Sequence, residues 1–349
     1  MPFTAKEIEN VAQAVLDYHM NTPEVRSQTL QDKPLLRALR AKEKTFPGGK
    51  EEITVRVKGE YDTTIQGFEH DDTVTYRNPA NLKTARYPWK LIHSGIEFTM
   101  HEMIKAGISI VDSTTGSGEV RHSENEKIVL ADLLNDKIED MMEGTDRGMN
   151  RMFWQDGSQD AKEVPGITSF VHDDPTVPAL VGGIDQSVHT WWQNRADTNI
   201  NFNPATPENL VIVKKLKSEW RQLRRYGGRP NLVLCGSDFL EALEDELLSK
   251  GQYTMEGWSH RRNTEASIAD ISFKGVRFEY DPTLDDMAKS KYCYVLDTRH
   301  IYPMVVQGEN GKDHKPSRPE DKYVFYRART WVGGLVCDQR NAQGVYAIT

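Results

Sequence analysis

The sequence predicts an α+β fold with two domains and two N-terminal extensions, and three observations favour it. At 349 residues the chain is long enough for about two domains. A single helical pattern covers 123–154, whereas strict strand alternation occurs over 51–61 and a long strand pattern follows at 323–338. The N-terminal segments carry structural patterns but too few apolar residues to bury themselves.

The composition excludes several classes of protein. With 38% apolar and 28% charged residues, the chain has material for a substantial core, and no stretch approaches the roughly 20 apolar residues of a membrane span. A net charge of −8 argues against nucleic-acid binding over the whole surface. We expect no secretory signal. The three cysteines are odd in number and far apart, which indicates a reducing compartment (Cys235, Cys293, Cys337).

Residues 1–45 are predicted to form an N-terminal arm. Thr4 can cap a short helix that Pro23 ends, and a second, basic stretch follows. The arm has few apolar positions (Ile8, Val11, Val15, Leu35, Leu36, Leu39). Because neither stretch can form an independent core, the arm must pack either on its own domain or on another subunit.

Residues 46–85 are predicted to form an extended β-hairpin. A first strand at 51–61 is about 35 Å long, and a return strand is expected at 72–77. Such a two-stranded hairpin is marginal alone, so it joins a sheet of its own domain or lies on another subunit. The polar return strand favours the second arrangement. The candidate assembly residues of this segment are Ile53, Val55 and Val57 on one face of the strand, Arg56 and Lys58 on the other, and Tyr76 and Arg77 in the return strand.

The clearest helix is predicted over 123–154. Ser123 and Glu126 form a capping box at its start, and an unbroken helix of this length measures about 48 Å. Gly144 and Gly148 indicate a bend or close packing, because glycine destabilises a helix interior by about 1 kcal/mol. The apolar stripe that defines the helix is evenly spaced (Leu130, Leu134, Ile138, Met141, Met149, Met152).

The second half of the chain alternates helices and strands. Residues 156–185 are rich in loops, and a change of composition after Gly183 is the predicted domain boundary. A helix is expected to begin at Thr206-Pro207-Glu208 with a buried stripe at Val213, Leu216, Trp220 and Leu223. The remaining predictions are a strand at 231–234, a helix to Leu248, strands at 270–280 and 291–298, a charged loop at 308–321, and strands at 323–338 and 344–348.

No motif for catalysis, metal or cofactor binding stands out. Thr115-Gly116-Ser117-Gly118 lacks the residues of a phosphate loop and of a nucleophile elbow, and no metal-ligand spacing of histidine or cysteine occurs. Cys235 is a candidate nucleophile, but it is more simply a buried small side chain. Three acidic pairs lie beside turns (Asp71-Asp72, Asp173-Asp174, Asp285-Asp286), and the pair Trp191-Trp192 is more typical of packing than of ligand stacking.

Charge is distributed unequally between two successive helices. Seven basic residues and one acid lie between Lys214 and Arg229, and the next helix is acidic. Three interpretations remain open: a surface for nucleic-acid phosphates, a solvated helix face, or pairing of the basic helix of one copy with the acidic helix of another around a ring. The candidate ring residues are Arg221, Arg224, Arg225, Glu241, Glu244 and Asp245.

The ordered set of segments resembles the major capsid proteins of tailed bacteriophages, the Hong Kong 97-like fold family. Pro165-Gly166-Ile167 and Gly182-Gly183-Ile184 with Trp191-Trp192 are similar to that family's connection between its peripheral and axial domains. Residues 229–240 resemble its axial strand–helix unit, residues 273–297 its next strand pair, and residues 327–348 its terminal strands. The resemblance covers nearly the whole chain.

The resemblance implies a shell protein without a reaction of its own and without a cofactor. The domains would be an arm at 1–45, an extended loop at 46–85, a peripheral domain with a spine helix at 86–184, an axial domain at 185–321 and return strands at 322–349. Copies would assemble through pentamers and hexamers into an icosahedral shell enclosing double-stranded DNA, bound without sequence readout, in the host cytoplasm. The short arm suggests a separate scaffolding protein, and a portal would be a further partner.

Two alternative functions are consistent with the same sequence. One is a cellular nanocompartment shell protein of the encapsulin type, which has the same fold and holds enzyme cargo. The other is a cytosolic two-domain hydrolase that uses Cys235 or one of the acidic pairs. No membrane partner is expected for any of them.

Overall fold

A computed structural model describes residues 3–4, 31–61, 63–76, 78, 81–105, 110–111, 124–203, 211–249, 271–317 and 324–349. The chain divides into two compact units. Unit 1 comprises the described residues of Met1–Gln31, Leu91–Met149 and Val306–Val332, and unit 2 those of Asp32–Lys90, Asn150–Val305 and Gly333–Thr349. No helix in the described ranges has the length and apolar character needed to cross a membrane.

The described residues form six α-helices and seventeen strands. The helices are α1 (Pro34–Arg40), α2 (Met100–Lys105), α3 (Glu124–Trp154), α4 (Ile212–Leu223), α5 (Ser237–Ser249) and α6 (Pro282–Asp286). The first nine strands are β1 (Phe3–Thr4), β2 (Lys44–Phe46), β3 (Glu52–Lys58), β4 (Leu82–Pro88), β5 (Lys90–Thr99), β6 (Ile110–Val111), β7 (Leu180–Val181), β8 (Ile184–Asp185) and β9 (Arg195–Ile200). The others are β10 (Leu232–Cys235), β11 (Ser272–Phe273), β12 (Val276–Tyr280), β13 (Tyr292–Leu296), β14 (Ile301–Val306), β15 (Lys312–Ser317), β16 (Val324–Cys337) and β17 (Gly344–Ile348).

The largest sheet lies in unit 2 and has six strands in the order β11-β12-β10-β13-β17-β9. Every residue of β10 and β17 is buried, as the apolar runs Leu232–Cys235 and Gly344–Ile348 predict for interior strands. β10 is parallel to β12 and antiparallel to β13, and β17 is antiparallel to β13 and parallel to β9. The predicted strands at 231–234, 270–280, 291–298 and 344–348 are therefore confirmed, with 270–280 split into β11 and β12.

Helices α4 and α5 cover this sheet. The predicted stripe of α4 is confirmed, because Val213, Leu216, Trp220 and Leu223 are all buried in one core cluster with residues of the sheet. Phe239 and Leu243 of α5 join the same cluster. α4 begins at Ile212 with Val211 as its N-cap, so the predicted start of this helix at Thr206-Pro207-Glu208 is wrong. Both helices thus present one apolar face to the sheet and leave the opposite face for charged side chains.

Helix α3 confirms the predicted long helix. Ile138, Met141, Met149 and Met152 of its stripe are buried, whereas Ser123 and the side chains of Glu126, Leu130 and Leu134 lie outside the described residues. A Cβ added at Gly144 or Gly148 would meet no atom within 4 Å. Among the described residues, therefore, close packing does not explain either glycine.

The structure describes two parts of the predicted arm: Phe3–Thr4, which form β1 and pair in parallel with β6 in unit 1, and the second stretch. Leu35, Leu36 and Leu39 of α1 are buried, and the Leu36 amide donates a hydrogen bond to Asn150 Oδ1 at 3.0 Å. This stretch therefore packs within unit 2 of its own chain. The predicted helix before Pro23 lies outside the described residues.

The predicted return strand of the hairpin is wrong. β3 pairs antiparallel with β4, from Glu52 opposite Pro88 to Lys58 opposite Leu82, and residues 72–76 form no strand. Residues 82–88 pair with β3 instead, because Ala85 and Tyr87 are buried in this arrangement. Tyr87 also donates a hydrogen bond to the Cys337 carbonyl at 2.5 Å. The described residues between the two strands (59–61, 63–76, 78 and 81) belong to the connecting loop and form no strand.

The charged loop predicted at 308–321 is partly wrong. Lys312–Ser317 form β15, which pairs antiparallel with β16 in unit 1. In unit 2 the other half of β16 pairs antiparallel with β14, and β2 lies beside β14. A charged segment is stable as a strand here because β15 is at the end of the sheet, where charged side chains can remain in solvent.

Candidate assembly surfaces

Three exposed arginines define a basic surface at the C-terminal end of α4. Arg221 lies in the last turn of the helix, and Arg224 and Arg225 follow in the turn that Gly227 closes at a φ of +89°. All three side chains are exposed because they alternate with the buried stripe that ends at Leu223. Positive charge at this end of a helix is favourable, since it interacts with the partial negative charge of the helix dipole.

Three acids define an acidic surface on α5. Glu241 and Asp245 are exposed and Glu244 is half-buried. The pKa of Glu244 is raised by its burial and by the neighbouring charges of Asp245 and Glu241. No ion pair joins these acids to Arg221, Arg224 and Arg225 within the described residues. Both charged surfaces are therefore available to a partner molecule.

Two other acids of these helices have structural roles. Glu246 of α5 is fully buried and accepts hydrogen bonds from the first amides of α4, at 2.7 Å from Ile212 and 3.2 Å from Val213. Glu219 is buried and accepts both hydrogen bonds of a bidentate pair with Arg195, at 3.0 and 3.3 Å. The sequence places both among surface charges; their burial depends on how the helices pack, which the local pattern does not show.

Replacing Glu246 with alanine is expected to destabilise unit 2. The change leaves two buried amides at the start of α4 without their acceptor, and hydrogen bonds to a charged group contribute about 1.5–3 kcal/mol each. We expect the free energy of unfolding, measured by urea denaturation, to fall by at least about 3 kcal/mol. The control Glu241→Ala, at an exposed site of the same helix, should change it by less than about 0.5 kcal/mol; equal effects of both substitutions would contradict this role of Glu246.

The base of the extended loop presents its two faces differently. Ile53 and Val57 are buried and Val55 is half-buried, so the apolar face of β3 is largely covered by its own chain. Arg56 and Lys58 are exposed on the other face, with Lys58 Nζ 4.3 Å from the centre of the Tyr61 ring. Only the polar face therefore remains for contacts with another molecule.

The tip of the extended loop, residues 63–76, is held in shape by its own polar side chains. Gln66 accepts from the Thr75 hydroxyl at 3.0 Å and donates to the Thr73 carbonyl at 3.3 Å. Asp72 Oδ2 accepts from the Glu69 amide at 2.9 Å, and the Asp72 amide donates back to the Glu69 carbonyl at 3.1 Å. The apolar side chains of this ordered turn project into solvent (Ile65 99% exposed, Phe68 70%, Tyr76 93%). Arg77 lies outside the described residues.

A cleft of about 1260 Å³ opens in unit 2 beside the base of the loop. Residues 55–61 form one wall, and Trp191, Arg225 and Tyr226 belong to the others. A Cβ at Gly59 would lie 2.7 Å from the indole of Trp191, so glycine lets the strand end approach this ring closely. The cleft thus combines positive charge with aromatic side chains.

Arg340 holds residues 170–194 of unit 2 in place through its hydrogen bonds. No local sequence pattern predicts this role of Arg340. Its guanidinium is fully buried and donates to four neutral acceptors: the carbonyls of Phe170 at 2.7 Å and Trp192 at 2.9 Å, Gln186 Oε1 at 2.9 Å and Asn194 Oδ1 at 3.2 Å. Burial lowers the pKa of Arg340 to about 10, so the group stays charged at neutral pH. One side chain therefore fixes the path of residues 170–194.

Glycine in the Pro165-Gly166-Ile167 motif is required by close packing. A Cβ at Gly166 would lie 2.2 Å from the Phe153 carbonyl oxygen, and the Gly166 amide donates to the Gln155 carbonyl at 2.7 Å. The chain therefore turns back directly onto the end of α3. Close packing against the end of α3 is therefore the structural reason for glycine in this motif.

Cys235 and Trp192, which the sequence offers as candidates for chemistry or ligand stacking, are both buried in the packed interior. Cys235 is fully buried opposite Cys293, and burial raises the pKa of its thiol well above the ordinary value. Trp192 is buried and donates to the Val181 carbonyl at 3.0 Å. Within the part of the chain that the structure describes, no group of histidine, cysteine and carboxylate side chains is arranged to hold a metal ion.

Comparison with known proteins identifies the architecture. No family model matches the sequence, and no curated protein matches it. Among solved structures, the capsid asymmetric unit of cyanophage A-1(L) aligns with a TM-score of 0.62 and 12% identity over 93% of this chain and 95% of the phage chain. The chain has the Hong Kong 97-like capsid fold. Two further capsid structures show the same fold. The capsid of Myoviridae phage XM1 aligns with a TM-score of 0.57 and 11% identity over 94% of this chain and 96% of the phage chain. The mature capsid of bacteriophage PhiM1 aligns with a TM-score of 0.54 and 9% identity over 94% of this chain and 90% of the phage chain.

The capsid fold accounts for the order of elements described above. The predicted resemblance is confirmed at the level of the fold, and it extends over nearly the whole chain rather than one domain. Because identity is about a tenth, the shared property is architecture and not a set of matching side chains. The specific contacts of this chain must therefore be argued from its own residues.

Proposed function

We propose that the chain is a major capsid protein that self-assembles into an icosahedral shell. The observation that carries the proposal is the near-complete alignment with capsid chains, since 93% of this chain covers 95% of the A-1(L) capsid chain. A partial match would be consistent with a capsid-like domain in another kind of protein. Here almost no chain is left over for a separate catalytic or binding domain.

The charged surfaces of unit 2 supply a contact between copies. Arg221, Arg224 and Arg225 lie at the end of α4, and Glu241, Glu244 and Asp245 lie on α5. A head-to-tail contact of one copy's basic surface with the next copy's acidic surface repeats around a ring and closes by rotation. Such a contact also reduces the repulsion of Glu244 by Asp245 and Glu241, which together with burial raises the pKa of Glu244.

The domains and further partners follow from the same proposal. Residues 185–321 form the axial domain of the ring, residues 86–184 with the spine helix α3 and the return strands at 322–349 form the peripheral domain, and residues 46–85 form the loop that reaches a neighbour. The protein is then a non-enzymatic component of the virion, assembled in the host cytoplasm. A scaffolding protein, a portal and packaged double-stranded DNA are its proposed partners, the DNA held without base-specific contacts.

Reversing the basic surface tests the proposed ring. Changing Arg221, Arg224 and Arg225 together to glutamate places like charges across the contact, and close like charges cost several kcal/mol. We expect rings to be lost from sedimentation profiles at concentrations where the unchanged protein forms them, and restored when Glu241, Glu244 and Asp245 are changed to lysine in the same chain. The chain is left folded, because all three arginines are exposed.

A matched control uses the same helix. Lys214 and Lys217 are exposed on α4 but lie nearer its start, so Lys214→Glu with Lys217→Glu changes charge without touching the proposed contact. This control should form rings normally. Normal rings from the triple arginine variant would contradict the ring contact, and failure of the unchanged protein to form any assembly would contradict the proposed function.

A further inference from the structure

We infer that Cys235 and Cys293 form an oxidative modification site, at which a peroxide joins the two thiols in a disulfide between β10 and β13. Both strands lie in the interior of the six-stranded sheet of unit 2. The structure holds both cysteines as free, buried thiols. Because the cross-link is internal to one chain, its formation does not depend on assembly.

The backbone places the two cysteines directly opposite each other, as register partners of an antiparallel strand pair. The next residue, Gly236, donates its amide to the Tyr292 carbonyl at 2.9 Å. The Cys235 carbonyl faces β12 instead, where it accepts from the Asp281 amide at 3.1 Å. Cys235 and Cys293 are therefore a non-hydrogen-bonded pair, in which Cα atoms are about 4.5 Å apart. This separation lies within the range of about 4.4–6.8 Å that a disulfide spans.

The two thiols lie on the same face of the sheet and interact directly. Both belong to the buried core cluster that the sheet forms with α4 and α5. The pKa of the Cys235 thiol is raised well above its ordinary value, first by burial and then by its interaction with the Cys293 thiol. Because the thiolate is the reactive form of cysteine, the raised pKa keeps the pair reduced until an oxidant is present.

Cys337 provides a contrast within the same chain. It is as fully buried as the other two cysteines, but its register partner is Ile301 in the pair of β14 and β16. The chain has three cysteines in total, and the other two belong to the six-stranded sheet. Burial is therefore common to all three thiols, whereas a cysteine directly opposite is a property of Cys235 and Cys293.

The oxidant in this inference is hydrogen peroxide, which is small enough to enter a transient opening of the sheet. One thiol loses its proton, and its thiolate attacks a peroxide oxygen to give a sulfenic acid and hydroxide, which takes up the proton as water. The second thiol attacks the sulfenic sulfur; the S–S bond forms, the S–O bond breaks, and the departing hydroxide leaves with the thiol proton as a second water. The two sulfurs together lose two electrons, which reduce one peroxide to two waters.

The disulfide closes residues 235–293 into a loop and so lowers the conformational entropy of the unfolded chain. It therefore stabilises the sheet of unit 2. One consequence rests on the proposed function: a virion assembles in a reducing cytoplasm and is released into an oxidising medium, so the cross-link forms after release.

Counting thiols before and after treatment with hydrogen peroxide tests the inference. The full chain, purified with a reductant and then freed of it, is incubated with peroxide at mildly alkaline pH, alkylated in urea and weighed by mass spectrometry. We expect the alkylated thiols to fall from three to one and the mass before alkylation to fall by two hydrogen atoms. The chain should still migrate as a monomer in a non-reducing gel. Its thermal midpoint should rise by at least about 5 °C and return when a thiol reductant is added.

Three single variants separate the pair from general oxidation of cysteine. Cys337→Ala leaves the pair intact, so its alkylated thiols should fall from two to none. Cys235→Ala and Cys293→Ala each remove one partner, so both should keep two alkylated thiols after treatment and show no rise in thermal midpoint. Three alkylated thiols in the treated unchanged protein, a gain of oxygen in place of the loss of hydrogen, or equal thiol loss in all three variants would overturn the inference. Assembly is not the readout, so each of these results leaves the proposed function standing, and a chain that never assembles can still confirm the cross-link.

Discussion

Replacing Arg340 with methionine is expected to lower the free energy of unfolding of unit 2 by about 3–5 kcal/mol. The substitution removes a buried guanidinium and leaves four buried acceptors without their donor, among them the Phe170 and Trp192 carbonyls. Each buried group left unpaired costs about 1–3 kcal/mol, and part of this cost is offset because methionine fills the space without a buried charge. Urea denaturation followed by tryptophan fluorescence measures the effect, since Trp192 lies against the site.

Two further variants make this expectation specific. Arg340→Lys keeps the positive charge but cannot reach four acceptors at once, so its stability should fall between the unchanged protein and the methionine variant. Arg221→Met removes an exposed arginine and should change stability by less than about 0.5 kcal/mol. A methionine variant at position 340 as stable as the one at position 221 would contradict the structural role of Arg340.

Replacing the loop tip, residues 63–76, with a short Gly-Ser linker is expected to abolish assembly while the chain stays folded. Strands β3 and β4 keep their pairing, and the buried residues Ile53, Val57, Ala85 and Tyr87 are untouched. The tip makes its described hydrogen bonds within itself, so its loss removes little from the folded chain. Sedimentation velocity should show no shells or rings at concentrations where the unchanged protein forms them, and the thermal midpoint should move by no more than about 2 °C.

A different result would change the account of the loop. Loss of the cooperative unfolding transition would show that the tip stabilises its own chain and is not free for a neighbour. Normal shells would show that assembly does not need the tip. A shorter replacement of residues 67–70 alone, which keeps Gln66 and Asp72, distinguishes loss of the turn from loss of the whole tip.

Local periodicity predicted much of the fold. Helix α3 was predictable because Ile138, Met141 and Met152 repeat at helical spacing, and such a stripe needs no knowledge of distant residues. β17 was predictable because the run Gly344–Ile348 is apolar and bounded by polar residues. The exposure of Arg221, Arg224 and Arg225 followed from the same argument, since they lie between the buried positions of α4.

Features that depend on long-range pairing were not predictable. Residues 72–77 and 82–88 both alternate, and only the buried contacts of Ala85 and Tyr87 select the second as the partner of β3. The role of Arg340 depends on acceptors 146–170 positions away along the chain, which the fold alone brings together. The cleft is formed by residues from β3, the Trp191 turn and the end of α4, so no single segment of sequence indicates it.

The central claim is that many copies of this chain close into a shell, and electron microscopy of the purified protein tests it most directly. Samples should be imaged over a range of protein and salt concentrations, because contacts between charged surfaces weaken as salt rises. We predict pentameric and hexameric rings, together with closed shells of uniform diameter. A monodisperse monomer or small oligomer under all of these conditions, with neither rings nor shells, would contradict the account.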